Sequence, residues 1–372
     1  MIYRTLAGEK VSQLGFGAMR LPLKGDVIDE NEAIRMIRHA IDSGVNYVDT
    51  AWVYHGGESE TLVGKALKDG YRQKTFVATK SPVWAVDKPE DFQGFLDKQL
   101  AKLGVGCIDF YLLHALNAGT WAKCQKLGAI DFCQRMKKAG KIRHFGFSFH
   151  DQLPVFKEIV AAHNWEFCQI QYNYLDRNEQ AGLEGLNLAH SKGIGLIIME
   201  PLRGGNLVSP LPEKVQDLWK AAPKQRSSVE WALGWVFNHP EIGLVLSGMS
   251  TMQQVEQNLA IAESVGPGTF TPAELALVDK TAELYRANTR IGCTGCRYCM
   301  PCPSGVDIPH NFKVWNEYYM FGKSAGARGA WNWIPADTRA DKCTECGACV
   351  SLCPQHLAIP DELKNMVADF AP

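Results

Sequence analysis

Residues 31–54 read NEAIRMIRHAIDSGVNYVDTAWVY, and the two rhythms in this stretch decide the fold. Ala33, Ile34, Ile37, Ala40 and Ile41 recur at three- and four-residue spacing, which lines up one apolar helix face, and Gly44 stops the helix. Residues 45–48 then form a short β-branched and aromatic run, the pattern of a strand. Working outward, the cycle recurs. Residues 75–79 precede a helix opening near Pro89, 108–113 precede 131–139, and 142–147 precede 151–163. Further on, 167–171 lead to 179–192, 194–199 to 227–238, and 244–246 to 253–263. With a first strand at 14–17, eight strand–helix units end near residue 285.

Eight such units in that length fit a (β/α)8 TIM barrel, an α/β fold of roughly 250 residues before insertions. A doubly wound open sheet is the alternative. It would want GxGxxG after a strand, and residues 14–19, LGFGAM, offer only GxG. In a barrel the chemistry sits at the C-terminal strand ends, so polar residues just past each strand become the candidates.

The chain has 372 residues, 46% of them hydrophobic, with 39 basic against 40 acidic side chains and a formal charge of −1. Disordered and collagen-like architectures are excluded, and no overall field draws the chain to nucleic acid or an anionic membrane. A small-molecule or protein partner is expected. No run approaches the roughly twenty apolar residues of a membrane span, and the opening MIYRTLAGEK has no apolar signal segment, so a cytoplasmic location is expected. Cysteine is unevenly placed: Cys107, Cys124, Cys133 and Cys168 are scattered through the first 292 residues, and eight crowd between 293 and 353. Two domains follow, residues 1–285 and 286–372.

The strand ends supply Asp49, Tyr54 five residues later, Lys80 in VATK and His114 in YLLH. Each alone reads as a solvated or satisfied rim residue; in a barrel all four converge on one mouth. A buried ammonium beside a tyrosine favours the phenolate and lowers a pKa that is ordinarily near 10. Lys80 is placed to do this, Asp49 to keep Lys80 charged, and His114 to donate to a carbonyl oxygen. Such a set suits reduction of a carbonyl to an alcohol, with hydride from a cofactor.

At this point the sequence resembles the aldo-keto reductases, over about residues 1–285. The resemblance is carried by YRTLAGEKVSQLGFGAMRLP, DTAWVYHGGESE, the VATK lysine, the YLLH histidine and CQIQYNYLD. It implies that Asp49, Tyr54, Lys80 and His114 form the family's tetrad, with Tyr54 the general acid. It also implies that Ser148 and Gln169 hold a nicotinamide carboxamide. Gly17, Ala18 and Met19, the segment MEPLRGG with Met199, Pro201, Leu202 and Gly204, and Gly248, Gln254 and Asn258 would line the NADP(H) or NAD(H) cleft. The pattern departs at Met199, where many members stack an aromatic ring on nicotinamide, and at Phe149, where many have asparagine. Gln254 stands where NADP-specific members often have arginine, so the choice between the two nucleotides is open.

Residues 293–303, CTGCRYCMPCP, and 343–354, CTECGACVSLCP, are an internal repeat, followed by VDIP and LAIP. The second is the C-x2-C-x2-C-x3-CP run of bacterial ferredoxins; the first has one residue fewer before Cys302. Zinc prefers four ligands in separated pairs, and a disulfide framework does not suit a cytosolic chain. Two [4Fe–4S] clusters are expected in a small ferredoxin-like domain. Because the fourth cysteine of each run ligates the other cluster, Cys293, Cys296, Cys299 and Cys353 would hold one, and Cys343, Cys346, Cys349 and Cys302 the second. The four scattered cysteines read as small core residues. Between the runs, Trp315, Tyr318, Tyr319, Trp331 and Trp333 either dock the small domain or build its core, and the core is preferred.

Hydride moves two electrons and a cluster one, and no flavin signature is visible to couple them. The leading expectation is an NAD(P)H-dependent carbonyl reductase, or alcohol dehydrogenase in reverse, whose clusters exchange electrons with a redox protein or regulate the site. The alternative is an electron-transfer or redox-sensing protein whose barrel is a docking module. Arg20 and Arg203 are candidates for recognising a carboxylate or phosphate, and Trp52, Trp84 and Trp121 for walling the substrate pocket.

Overall fold

A computed structural model of the chain describes residues 1–371; residue 372, the last of the expected second domain, lies outside the described residues. They form two compact units, one of residues 1–204 and 229–272, the other of 205–228 and 273–371.

The first unit holds a closed barrel of eight parallel strands: β1 Leu14–Gly17, β2 Tyr47–Asp49, β3 Phe76–Ser81, β4 Ile108–Leu116, β5 Ile142–Phe149, β6 Phe167–Gln171, β7 Gly195–Met199 and β8 Leu244–Gly248. Neighbours follow chain order around the ring, and β8 closes on β1 with Gly248 opposite Gly17. The helix read from residues 31–44 is Glu30–Asp42, capped by the Asp29 side chain and burying Ala33, Met36, Ile37, Ala40 and Ile41. The barrel expected from the strand–helix alternation is therefore the fold, and the open sheet is not.

Along each strand the inward side chains alternate with a period of two. Tyr47, Ala78, Phe110, Leu112, Phe167, Ile197, Leu244 and Leu246 pack together as the interior core. Two residues further on, the same rows end in Asp49, Lys80, His114, Gln169, Met199 and Gly248. The pleat itself thus changes the barrel from an apolar plug to a polar mouth within one step of the chain.

Two hairpins escaped the strand–helix reading because their strands are too short to show a period. Tyr3–Leu6 pairs with Glu9–Ser12 through a two-residue turn at Ala7 and Gly8, both at positive φ, the geometry that suits a tight hairpin. Its Leu6 and Val11 are fully buried and join the interior core. Gly195 and Gly243 make room for it: a Cβ would stand 2.7 Å from Leu6 Cδ1 at the first and 2.9 Å from the Thr5 carbonyl at the second. The second hairpin joins Leu23–Lys24 to Val27–Ile28.

In the second unit the helices Pro272–Ala287, Ile308–Met320, Ala325–Trp333 and Ile359–Phe370 surround a small aromatic core. Trp315 and Tyr319 both donate to Asp369 at 2.8 Å, while Tyr318 and Trp331 pack on Phe370. Of the aromatics between the cysteine runs, only Trp333 is left largely exposed, at 88%. Segment 205–228 joins this unit through Trp219, which donates to Thr281 Oγ1 at 2.8 Å, and through the Arg226–Glu274 pair at 2.9 Å.

Truncating the barrel plug leaves a cavity at its floor, so Leu6→Ala is expected to cost about 2–5 kcal/mol in urea unfolding. A change within about 0.5 kcal/mol would show that the hairpin does not share the core.

Candidate active site

Lys80 is wholly buried near the end of β3. Its ammonium donates to Asp49 Oδ2 at 2.6 Å, to the Thr50 carbonyl at 2.9 Å and to Tyr54 Oη at 3.1 Å, so all three of its donors are used. Asp49 arrives from β2, whose register places it beside Ala78 of β3 and Gly17 of β1. Tyr54 opens a 3-10 turn, Tyr54–Gly57, whose His55, Gly56 and Gly57 all take positive φ. That strained turn is pinned from outside: Lys102 donates to the Gly57 carbonyl at 3.0 Å while lying 4.0 Å over the Trp52 ring, and Leu21 N donates to His55 Nε2.

His114 ends the inward row of β4, edge-on to Tyr54 with ring centroids 6.2 Å apart. The chain bulges immediately after it, where Ala115 takes positive φ and its N–H donates to Ser148 Oγ at 2.8 Å. Ser148 of β5 is level with Gln169 of β6 in the strand register. Gln169 donates to the Met199 sulfur at 3.4 Å, and its buried Oε1 has no hydrogen-bond partner.

These groups line one cavity of about 530 Å³. Gly17, Met19, Asp49, Tyr54, His114, Ser148, Gln169, Met199 and Gly248 contribute, so the structure brings together three of the tetrad candidates with six of the expected nucleotide contacts. Lys80 stands directly behind Asp49 and Tyr54. Ala18, Pro201, Leu202, Gly204, Gln254 and Asn258 do not line it. Ala18 is buried, donating its N–H to the Asp49 carbonyl; Gln254 accepts from Ser250 N; and Asn258 is buried on Ser247 Oγ at 3.0 Å. Of the three tryptophans expected to wall the pocket, Trp84 does so, 5.0 Å from the His114 ring. Trp121 instead is a buried core residue against Trp165, and Trp52 is covered by Phe95 and Lys102. Arg203 pairs with Asp176 at 2.9 Å, outside the cavity.

The electrostatics differ from the sequence expectation in one respect. Burial pushes the Tyr54 phenol up, and Lys80 opposes this without overcoming it, so the hydroxyl keeps its proton at neutral pH. Burial works against the Lys80 ammonium too, but Asp49 and Tyr54 outweigh it and hold it charged. His114 is pushed well below its ordinary value by burial and then by Lys80, so it is a neutral ring with one N–H to give. His150 and Glu200 also line the cavity and were missed. The first sits just past the β5 end where Phe149 turns outward onto Phe156, and the second follows Met199 at positive φ. Periodicity gives no signal once a strand has ended.

The nicotinamide fit rests on an orphan. A buried Gln169 oxygen without a donor, beside Ser148 and the soft Met199 surface, is chemically matched to a carboxamide that offers both N–H and C=O.

In the second unit, Cys293, Cys296, Cys299 and Cys353 line one cavity, with Ile308, Phe312, Leu357 and Ile359 as its apolar lining. Burial first, and then the neighbouring Cys343, Cys302 and Cys346, push the Cys349 thiol up, and Cys349 in turn helps to raise Cys299. Both runs wind alike, with Gly295 and Arg297 in the first and Glu345 and Gly347 in the second at positive φ, two and four residues after the leading cysteine. Among the described residues no three His, Cys, Asp or Glu groups close on one point as a single metal ion would need. Cys124, Cys133 and Cys168 are buried as core residues, and Cys107 is half-buried.

Removing one partner of a buried ion pair strands the other, so Lys80→Met is expected to destabilise by about 3–5 kcal/mol in urea unfolding. Adding Asp49→Asn should recover most of that loss; no recovery would mean the pair is not coupled.

Comparison with known proteins agrees with both halves. Residues 13–282 match the Aldo/keto reductase family, and residues 292–358 match a 4Fe-4S dicluster domain. A relative named L-galactose dehydrogenase, from Arabidopsis thaliana, is 28% identical over 73% of this chain and 91% of its own length. A solved aldo-keto reductase from Bacillus halodurans in its holo form is 29% identical, with a TM-score of 0.64 over 76% of this chain and 96% of that one. An aldo-keto reductase from Klebsiella pneumoniae in complex with NADPH shares the fold at 21% identity, with a TM-score of 0.60 over 75% and 95% of the two chains. With the family match spanning most of the barrel, the chain belongs to the aldo/keto reductase family, as an oxidoreductase that carries a 4Fe-4S dicluster domain.

Proposed function

We propose that the barrel, assigned to residues 1–285, is an NAD(P)H-dependent carbonyl reductase, or alcohol dehydrogenase in reverse. The observation that carries this reading is the chain of contacts from Asp49 through the buried Lys80 ammonium to Tyr54 Oη, at 2.6 and 3.1 Å, opening on a cavity that fits a nicotinamide. A bound nicotinamide nucleotide supplies or accepts the hydride at the substrate carbon. The chain's own residues handle the proton. Tyr54, protonated at neutral pH, donates to the carbonyl oxygen, so the C=O bond becomes C–OH, and the resulting phenolate is stabilised by Lys80. His114 as a neutral donor orients that oxygen, Asp49 keeps Lys80 charged, and Ser148 with Gln169 hold the carboxamide. Trp84, Val53 and Met19 give the substrate side an apolar wall. The relative named for dehydrogenating L-galactose favours keeping the alcohol-oxidising direction open. The protein is expected to act on a small carbonyl or alcohol in the cytoplasm.

The second domain, residues 286–372, is assigned two [4Fe–4S] clusters, one on Cys293, Cys296, Cys299 and Cys353 and the other on Cys343, Cys346, Cys349 and Cys302. Support comes from the cavity that Cys353 of the second run shares with Cys293, Cys296 and Cys299 of the first, from Cys302 standing among the thiols next to Cys349, and from the dicluster family match. They serve electron exchange with a redox protein or regulation of the barrel.

Two measurements test these readings. Tyr54→Phe should lower kcat/KM for carbonyl reduction by about 10²–10⁴-fold while leaving nucleotide binding by fluorescence titration within a factor of about three. Full activity in that variant would remove Tyr54 as the acid. Anaerobically purified protein should contain about eight iron and eight sulfide per chain, and Cys353→Ser should lower both toward about half; zinc in place of iron would overturn the cluster assignment.

A further inference from the structure

Glu60 has no exposed surface and stands outside the active-site cavity. A carboxylate so placed is tolerable only if its oxygens are met, and the groups that meet them lead to both halves of the Tyr54–Lys80 contact. Its Oε1 accepts from Thr79 Oγ1 at 2.6 Å and from Gln99 Nε2 at 2.7 Å. Thr79 precedes Lys80 in β3, and the same Gln99 amide donates to the Lys80 carbonyl at 3.0 Å. Gln99 is fixed at its other end too, where its Oε1 accepts from Tyr111 Oη at 2.9 Å. The second carboxylate oxygen, Oε2, has no hydrogen-bond partner and faces the Lys102 ammonium at 3.6 Å. Lys102 is the lysine that holds the Gly57 carbonyl, in the turn that opens with Tyr54.

Two helices bring these groups together. Glu60 is the second residue of the helix Ser59–Ala66, and Gly64, four residues on, lies on the same face. A Cβ at Gly64 would stand 2.6 Å from the Lys102 carbonyl and 2.7 Å from that of Leu103. The bare glycine therefore lets the helix Pro89–Leu103 close on this face, with Gln99 and Lys102 three residues apart and neighbours on its surface. One buried carboxylate thereby ties the strand that bears Lys80 to the turn that bears Tyr54.

We infer that Glu60 is a positioning residue for the proton transfer, a role that rests on the reading of Tyr54 as proton donor. Through Thr79 and Gln99 on one side and Lys102 on the other, it sets the 3.1 Å separation of Lys80 Nζ from Tyr54 Oη. The turn needs such an anchor, because His55, Gly56 and Gly57 all hold positive φ. Charge and shape both matter. A glutamine at this position would keep one oxygen for Thr79 and Gln99 but turn an amide N–H2 toward the Lys102 ammonium, donor against donor. Glu60→Gln thus cuts the arm to the Tyr54 turn and spares the arm to β3.

The whole protein tests this with and without turnover. Glu60→Gln is expected to lower kcat for carbonyl reduction by about 10- to 100-fold, the scale of a displacement on the order of 1 Å, with KM and nucleotide affinity within a factor of about three. Lys102→Met, at a partly exposed site, should reproduce the loss, and the two changes together should lose little more than either alone. In a Tyr54→Phe background, Glu60→Gln should change the residual rate by less than about twofold, because the group it positions is gone. Full kcat in either single variant, or an undiminished loss in the Tyr54→Phe background, would overturn the inference. Fluorine NMR of protein labelled with 3-fluorotyrosine reads the same contact directly. The resonance absent from Tyr54→Phe should move in both Glu60→Gln and Lys102→Met; a resonance that stays in place would also overturn it. Movement of that resonance in a protein whose wild type reduces no carbonyl would keep Glu60 as the anchor of Tyr54 and overturn the reductase reading alone.

Discussion

A lysine ammonium with no exposed surface is tolerable only if every proton it carries is met, and the mouth of this barrel is organised around meeting those of Lys80. Asp49 neutralises it, the Thr50 carbonyl takes a second proton and Tyr54 Oη a third. Each acceptor comes from the β2 end or the turn after it. That turn in turn needs Lys102 from the helix Pro89–Leu103 to hold Gly57, and Ser59, which donates to the Ala18 carbonyl, to tie it to the β1 end. Positive φ at His55, Ala115 and Glu200 marks the same rim, where the chain leaves strand geometry beside the cavity.

Much of this was legible in the sequence, for a reason that the pleat explains. The inward rows of parallel strands alternate strictly, so the residue two beyond the last apolar one must face the mouth, and Asp49, Lys80, His114 and Gln169 all obey that rule. Cysteine spacing was equally direct, because a tight loop of thiolates leaves a fixed interval in the chain. What escaped reading lies where no period exists. The plug hairpin is only four residues a side, His150 and Glu200 lie just past strand ends, and Trp52 and Trp121 follow strands yet turn away from the cavity.

The Tyr54 phenol shows a second limit of sequence reasoning. A neighbouring lysine was expected to lower its pKa, and Lys80 does pull in that direction, but the burial that brings the two together costs the phenolate more than the ammonium returns. Proximity is readable from a motif; desolvation is a property of the packed surroundings. The consequence suits reduction, since a tyrosine that keeps its proton is ready to give it. Segment 205–228 makes a similar point for architecture: it follows the β7 loop in the chain, yet Trp219 and Arg226 fold it with the helices of the iron–sulfur unit.

Tyr54, buried, supported by Lys80 and still protonated, is proposed to give the proton in a nicotinamide-dependent reduction. The pH dependence of kcat/KM for reduction of a simple aldehyde by wild-type protein addresses it most directly. A level profile through neutrality is expected, with a single descending limb above the ordinary tyrosine range. A descending limb near pH 6–7 would place the proton on a histidine instead and contradict it.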